Sequence, residues 1–569
     1  MLSSIFTRLR KQSFDSWQKN LNNRTGLFWI AVGLVVLYLY LLGIPLLAVI
    51  VGSFVSQGTS LLGPVQLQNW VETYQTTQPV FVTTLIYSFG TATLTTALAC
   101  GLAWSIARTN MPLGRVFYLL SFIGFLFPPV AWEIVWVRLL GNNGVYAQLL
   151  GLESLGVGSI PGMILVSSIR FFPLGMVLLV PLFSSMDKTL EEASEISGAG
   201  TLRTLKEITL KMLRPGIFAV YLLVFIISLG SFRVPLLIGA PNGIEVLSLT
   251  IYQNVSSDPL QYGQAMTQSV ILVGIAIPGL YMYKRSLGKT KKFATISGRG
   301  YTRNPIDIGN WRYMLCGLLA LFFAFAIIVP TIMIIYTSLL PYYIPPLNFP
   351  GIDLFTLEAY TTVISNPRIQ NSLGNSLIVA VAATTLLVIG SVLNAWIVQK
   401  TDISFRHKLD YLSFASIGIP PIPLAVGILF IYLLYIPGGD LIYNSLLILV
   451  IAMYTRFIAG TIRVIEPGVI QLSSELLEAG EISGDSVISR LRYIVLPLIK
   501  ENMQAAWGMR FAVIFLELPV VMLLGSRKTE MVAPVLVTLQ NQAQFSQVAA
   551  FGVLIMISLG AIIVTVHRL

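Results

Sequence analysis

Residues 190–214 read LEEASEISGAGTLRTLKEITLKMLR, and residues 476–500 read LLEAGEISGDSVISRLRYIVLPLIK. At a shift of 286 the two stretches share 10 identities in 25. A duplication of this kind means that one structural unit is used twice. In each copy a short Glu- and Ala-bearing helix is expected to stop at a glycine, Gly198 or Gly484, which can take the left-handed conformation of a helix C-cap. A second short helix then leads back to an apolar run. The result is a helix–Gly–helix elbow, with Glu192, Glu195, Glu478 and Glu481 keeping its surface wet and Ala193 and Ala479 permitting close approach of another backbone.

The repeat extends well beyond the elbows. A shift of 292 aligns Leu85–Pro129 with Leu377–Pro421 without a gap, giving 12 identities in 45, among them Ala103-Trp104 with Ala395-Trp396 and Pro128-Pro129 with Pro420-Pro421. The 286 shift also sets Arg170-Phe171 on Arg456-Phe457 and Gly239 on Gly525. Around these landmarks the chain is apolar: of its 569 residues 55% are hydrophobic and 11% charged, and the mean hydropathy is +0.79. A soluble domain carries about 25% charged residues, so a soluble enzyme is excluded.

Windows long enough to cross a bilayer fall near 27–53, 82–106, 116–140, 159–182, 217–240 and 264–283, and again near 313–339, 376–398, 410–436, 441–464, 503–525 and 546–566. The first is too long for a signal-peptide core and is expected to be a retained membrane helix. The basic residues divide by side. The six alternate connections assigned to the outside hold only Arg368, Arg527 and Lys528, whereas the N-terminus holds Arg8, Arg10, Lys11, Lys19 and Arg24, and 284–312 holds eight Lys and Arg. By the positive-inside rule both termini are expected to be cytoplasmic. The net charge of +11 is thereby explained by orientation, not by nucleic-acid binding. The expected fold is an all-α membrane protein of about 12 transmembrane helices in two parallel six-helix repeats: residues 1–283, a cytoplasmic linker 284–312, and 313–569.

The paired elbows resemble the EAA loop of the permease subunits of ABC importers. The carry-over falls on Glu192, Ala193 and Gly198, and on Glu478, Ala479 and Gly484. The resemblance implies a type I importer permease in which each elbow docks on a separate ATP-hydrolysing subunit, and in which a periplasmic or surface solute-binding protein delivers substrate to the inner membrane. Three positions depart from the pattern: Ser194 and Gly480 stand in place of the second alanine, and Lys211 in place of the proline that Pro497 supplies. Around the fifth spans, Gly230–Gly239 with Pro241-Asn242-Gly243 looks like the first half of fused permeases of the iron(III), polyamine and thiamine group, and Leu516-Glu517-Leu518 followed by Leu523-Leu524 is similar to the iron(III)-type members. Iron(III) is the expected cargo; polyamine, thiamine or an inorganic anion are the alternatives, and an ion-coupled secondary transporter is the rival of another class.

The chain is not expected to be an enzyme. Gly288-Lys289-Thr290 fails as a P-loop because residue 283 is Tyr283 and no strand precedes it. ATP and Mg are thus expected in partner subunits, and no cofactor in this chain. Two cysteines, Cys100 and Cys316, and two histidines, His407 and His567, supply neither a disulfide framework nor a metal cage. Ionisable residues deep in the spans are Glu133, Arg138, Arg170, Arg233, Arg456 and Glu517. A charge at the bilayer centre costs roughly 2.5–3.5 kcal/mol even on insertion scales. Arg170, Arg456, Glu133, Glu517 and Arg233 are therefore candidates for a translocation path, where they could meet an anionic or chelated substrate or pair to close a gate. The bland alternative is snorkelling at helix ends.

Overall fold

The computed structural model describes residues 26–55, 63–186, 189–294, 305–348, 351–436, 438–483 and 485–568. The basic residues of positions 1–25, Arg299, Arg303 and Gly484 lie outside the described residues. Among those described, nine helices are long and apolar enough to cross a membrane, and two bent pairs bring the number to 11. The first half comprises α1 (Gly26–Gly52), α2 (Gln68–Arg108), the bent pair α3 (Gly114–Leu126) and α4 (Pro129–Leu140), α5 (Ile160–Ser184), the elbow helix α6 (Thr189–Ile196), α7 (Leu205–Leu229), α8 (Leu247–Ser256) and α9 (Tyr262–Ala294). The second half repeats the order: α10 (Trp311–Ser338), α11 (Pro367–Lys400), the bent pair α12 (Arg406–Phe414) and α13 (Pro421–Leu434), α14 (Leu446–Gln471), the elbow helix α15 (Ser474–Ile482), α16 (Lys500–Phe515), α17 (Val532–Asn541) and α18 (Phe545–Arg568).

Eleven of the twelve expected spans are found in this way. The exception is 503–525, where α16 has 16 residues and stops at Phe515, and a six-residue helix resumes at Pro519. Proline lacks the amide needed to continue the helix and disfavours helical geometry in the residue before it. At the other end of the scale, α9 runs beyond residue 283 to Ala294.

Local details recur at repeat-equivalent positions. Ser159 caps α5 on the Gly162 amide and Ser445 caps α14 on the Leu447 amide, each supplying an oxygen to one of the first unpaired donors of a helix. A π-helical turn follows each elbow, at Leu205–Thr209 and Leu491–Val495, and another interrupts each first span, at Leu39–Gly43 and Ala324–Ile328. Both bent pairs turn through 106°. There the paired prolines act: Pro129 and Pro421 occupy the first helical position, where a missing amide costs nothing, while Phe127 and Ile419 ahead of them are extended.

The halves are interwoven. α1 packs on α13 of the other half, and α10 packs on α4. The Asn394 side chain donates to the Tyr38 hydroxyl at 3.2 Å, and the Tyr146 hydroxyl donates to the Phe325 carbonyl at 3.0 Å. Lipid tails are as apolar as leucine, so close packing and not water exclusion must hold such helices together. Gly427 shows this: a Cβ there would stand 2.5 Å from the Pro45 carbonyl oxygen. The end of the connecting segment is tied to the first half as well. Ile306 bridges Thr109, and Asn110 donates to the Asp307 carboxylate at 2.5 Å. The Gly309 amide and the Asn110 side chain hold the Asp307 carboxyl below its usual range.

Candidate translocation cavity and coupling elbows

Between the first half's α5 and α7 end and the proline bend of the second half lies a cavity of about 180 Å³. Its wall takes Glu133 from α4, Arg170 from α5 and Arg233 from the turn after α7, and, from the second half, Pro420-Pro421 and Arg456. A Cβ on Gly230 would come within 2.7 Å of the Pro421 ring, so the glycine lets the first half's turn close on the second half's proline pair. The turn itself is fastened by hydroxyls: Tyr87 lies 2.6 Å from Ser167 and 3.0 Å from Ser231, and Ser248 donates to the Ser231 carbonyl.

The expected path residues thus come together. Glu133, Arg170, Arg233 and Arg456 share the cavity wall, and Glu517, 2% exposed, pairs with Arg456. Glu133 is likewise 2% exposed and lies 3.6 Å from the Arg233 guanidinium. Arg170 is held differently, donating to the Gly124 carbonyl at 2.6 Å. Arg138 does not join them: its guanidinium lies 3.8 Å from the Phe545 ring centre and 4.6 Å from that of Tyr343, a cation–π contact that ties α4 to the second half. Arg510 was missed by sequence reasoning. It sits mid-way along α16, 5.7 Å from the Phe457 ring centre, and its only sequence signal was an arginine inside an expected span.

The elbows have the expected shape. Gly198 takes φ +81°, and the Ala199 amide reaches back to the Ser194 carbonyl at 3.0 Å, closing the helix end. In the second copy the Asp485 amide makes the equivalent bond to the Gly480 carbonyl at 2.9 Å, while Gly484 itself lies outside the described residues. Glu192, Ala193, Glu478 and Ala479 are exposed. Beside them stand two large apolar side chains that the sequence reading did not single out, Ile196 at 88% exposure and Ile482 at 87%, in repeat-equivalent positions.

The two departures from the alanine pattern prove to be parts of two packings. Ser194 lies 2.9 Å from the Thr204 hydroxyl; in the second half Gly480 makes room for Arg490, whose Cγ would be 3.2 Å from an added Cβ. Elsewhere the first elbow has a clamp that the second lacks, a buried ion pair between Glu191 and Arg108.

The family of inner membrane components of binding-protein-dependent transport systems matches residues 97–283 and again 387–569. A Haemophilus influenzae protein named as a ferric transport system permease is 26% identical over 412 residues, covering 70% of this chain and 62% of the relative. A ferric transport system permease of Actinobacillus pleuropneumoniae is 23% identical over 481 residues, 81% of this chain and 67% of the relative. A Haloferax volcanii protein named as a molybdenum ABC transporter permease is 27% identical over 217 residues, 37% of this chain and 77% of the relative. The chain therefore spans 62% to 67% of the length of the two ferric relatives. With the family's domain present twice, in two halves that share one core, the chain belongs to the inner membrane components of binding-protein-dependent transport systems, as a fused two-half member.

Proposed function

We propose that this chain is the permease of an ATP-driven ABC importer for iron(III). A solute-binding protein delivers the cargo from outside, and separate ATPase subunits, which hold ATP and Mg, dock on the two elbows in the cytoplasm, where both termini also lie. Closure of the ATPases moves the elbows, and the interwoven halves reorient around the central cavity. The observation that carries the importer reading is the pair of equivalent elbows, the first capped by the left-handed Gly198 and the second closed by the Asp485 amide on the Gly480 carbonyl, with Ile196 and Ile482 exposed at equivalent positions. The cargo rests on the two ferric relatives, whose similarity covers 70% and 81% of the chain.

A second cargo reading, an oxyanion, has its own support in the arginines of the cavity and in the molybdenum-named relative. The test is uptake of radioiron under iron limitation in cells that lack the chain, compared with the parent and with a complemented strain. Loss with restoration supports iron(III). Unchanged uptake, in cells without a second iron importer, removes iron and leaves the importer reading, which co-purification with an ATPase subunit tests separately.

A further inference from the structure

We propose that the central cavity accepts an anion, so that iron(III) crosses it as a complex wrapped by oxyanion ligands and not as a bare cation; the part concerning iron rests on the importer reading above. Three guanidinium groups, those of Arg170, Arg233 and Arg456, line the cavity, and Arg510 stands behind Phe457. The carboxylates that meet them are Glu133, on Arg233, and Glu517, on Arg456. At the cavity wall three guanidiniums meet two carboxylates, a surplus of one positive charge at a place where uncompensated charge is costly, and Arg510 adds a further cation beyond the wall.

The donors suit one kind of guest. Iron(III) is a hard cation that takes oxygen ligands, and a bare ion would need several free carboxylates. Among the described residues no three of His, Cys, Asp or Glu stand together as a metal site; the cavity's own carboxylate, Glu133, already faces Arg233, and Glu517 is taken up by Arg456. A chelate whose carboxylate or phosphate-type ligands enclose the metal turns oxygens outward. Those oxygens are what a planar guanidinium binds in bidentate fashion.

The arrangement on the pseudo-two-fold strengthens the inference. Arg170 and Arg456 are repeat-equivalent, each followed by a phenylalanine that also lines the cavity, so one guanidinium is offered from each side. Arg170 has a carbonyl and not a carboxylate as its hydrogen-bond partner, and its charge is the one left for a guest. Arg233 corresponds to Pro519, and Glu133 to Ala425, so the rest of the polar wall belongs to the first half alone.

The experiment uses the complete importer, this chain with its ATPase and binding protein, with co-purification as the check on assembly. Arg170→Gln leaves no acid orphaned, and it is expected to lower radioiron uptake roughly tenfold, with Arg170→Lys, which keeps the charge but not the bidentate fork, falling between the parent and Gln, and Arg170→Glu keeping least. Assembled Arg170→Gln and Arg170→Glu importers that take up iron as well as or better than the parent would overturn the proposal. A second measurement does not depend on any variant: vesicles carrying the unaltered importer receive iron(III) citrate with metal and citrate both labelled. Entry of the two labels in a fixed ratio supports the proposal, and entry of the metal alone overturns it. Vesicles that take up radiolabelled molybdate but no iron in either form would sink the iron reading and leave the anion cavity standing.

Discussion

Arg108 and Glu191 are each 3% exposed, and the second carboxylate oxygen of Glu191 accepts from the Thr209 hydroxyl at 2.6 Å. Removing one partner of such a buried pair strands the other charge, at a cost of about 3–5 kcal/mol. The second half solves the same position without an acid. There the counterparts are Lys400 and Leu477, and Lys400 donates to the Leu472 carbonyl at 2.6 Å, just as Arg108 reaches the equivalent Met186 carbonyl at 3.4 Å. Glu191→Leu alone is therefore expected to loosen the first elbow, seen as faster proteolytic cutting near residues 187–200 and weaker ATPase co-purification. Adding Arg108→Lys, which copies the second half, should recover most of the loss; identical behaviour of the single and double variants would refute the account. This pair was not legible in the sequence. Arg108 sits at a span end, where arginine usually snorkels, and its partner is 83 residues away. The cavity charges were legible because a mid-span ion has few bland explanations, yet their partners were set by tertiary packing alone.

At the scale of elements, the elbow was readable because helix-forming residues, a glycine and an apolar return run in order twice. What could not be read is how each copy tolerates its departure from alanine. The Ser194–Thr204 and Gly480–Arg490 combinations imply coupled positions. Gly480→Ser by itself places a Cβ 3.0 Å from Ile494 Cδ1 and 3.2 Å from Arg490 Cγ, so crowding is expected; Gly480→Ser with Arg490→Thr adopts the first half's packing. The double variant should be the more stable of the two by a thermal shift assay, and additive losses would show that the positions act independently. The exposed tips call for a different experiment. Ile196→Asp and Ile482→Asp change no buried contact, so the chain should express and fold as before. Each should nonetheless weaken capture of the ATPase subunit, and both together should abolish it; undiminished capture by the double variant would remove the tips from the docking surface. The broken sixteenth helix and the π-turns escaped the sequence because hydropathy windows record only how apolar a run is, not where its backbone ladder is interrupted.

On the scale of the whole molecule, the exchange of first spans makes the fused chain more than two permeases in tandem. α1 finds its α13 partner, and α10 its α4 partner, only in the other half, and the Arg138 guanidinium against Phe545 and Tyr343 adds a third cross-contact. The covalent linker is then a convenience of assembly and not what holds the halves together. Cutting it tests this. Two pieces, 1–299 and 300–569, expressed together should co-purify and restore uptake to near that of the intact chain, whereas either piece alone should accumulate less well, because its first span has lost the part of its packing surface that the other half supplies. The Asp307 anchor stays on the second piece and reaches back to Asn110 on the first. Its carboxyl titrates lower in the folded chain than in the unfolded one, so the contribution is complete above the ordinary carboxylate range and fades only as pH falls through the lowered value. Co-purification at neutral pH therefore retains this anchor, and only acidification through the lowered carboxyl value removes it. Pieces that separate at neutral pH, or a first piece that is stable and monodisperse without the second, would mean that the interwoven spans contribute little and that the linker is what keeps the halves in register.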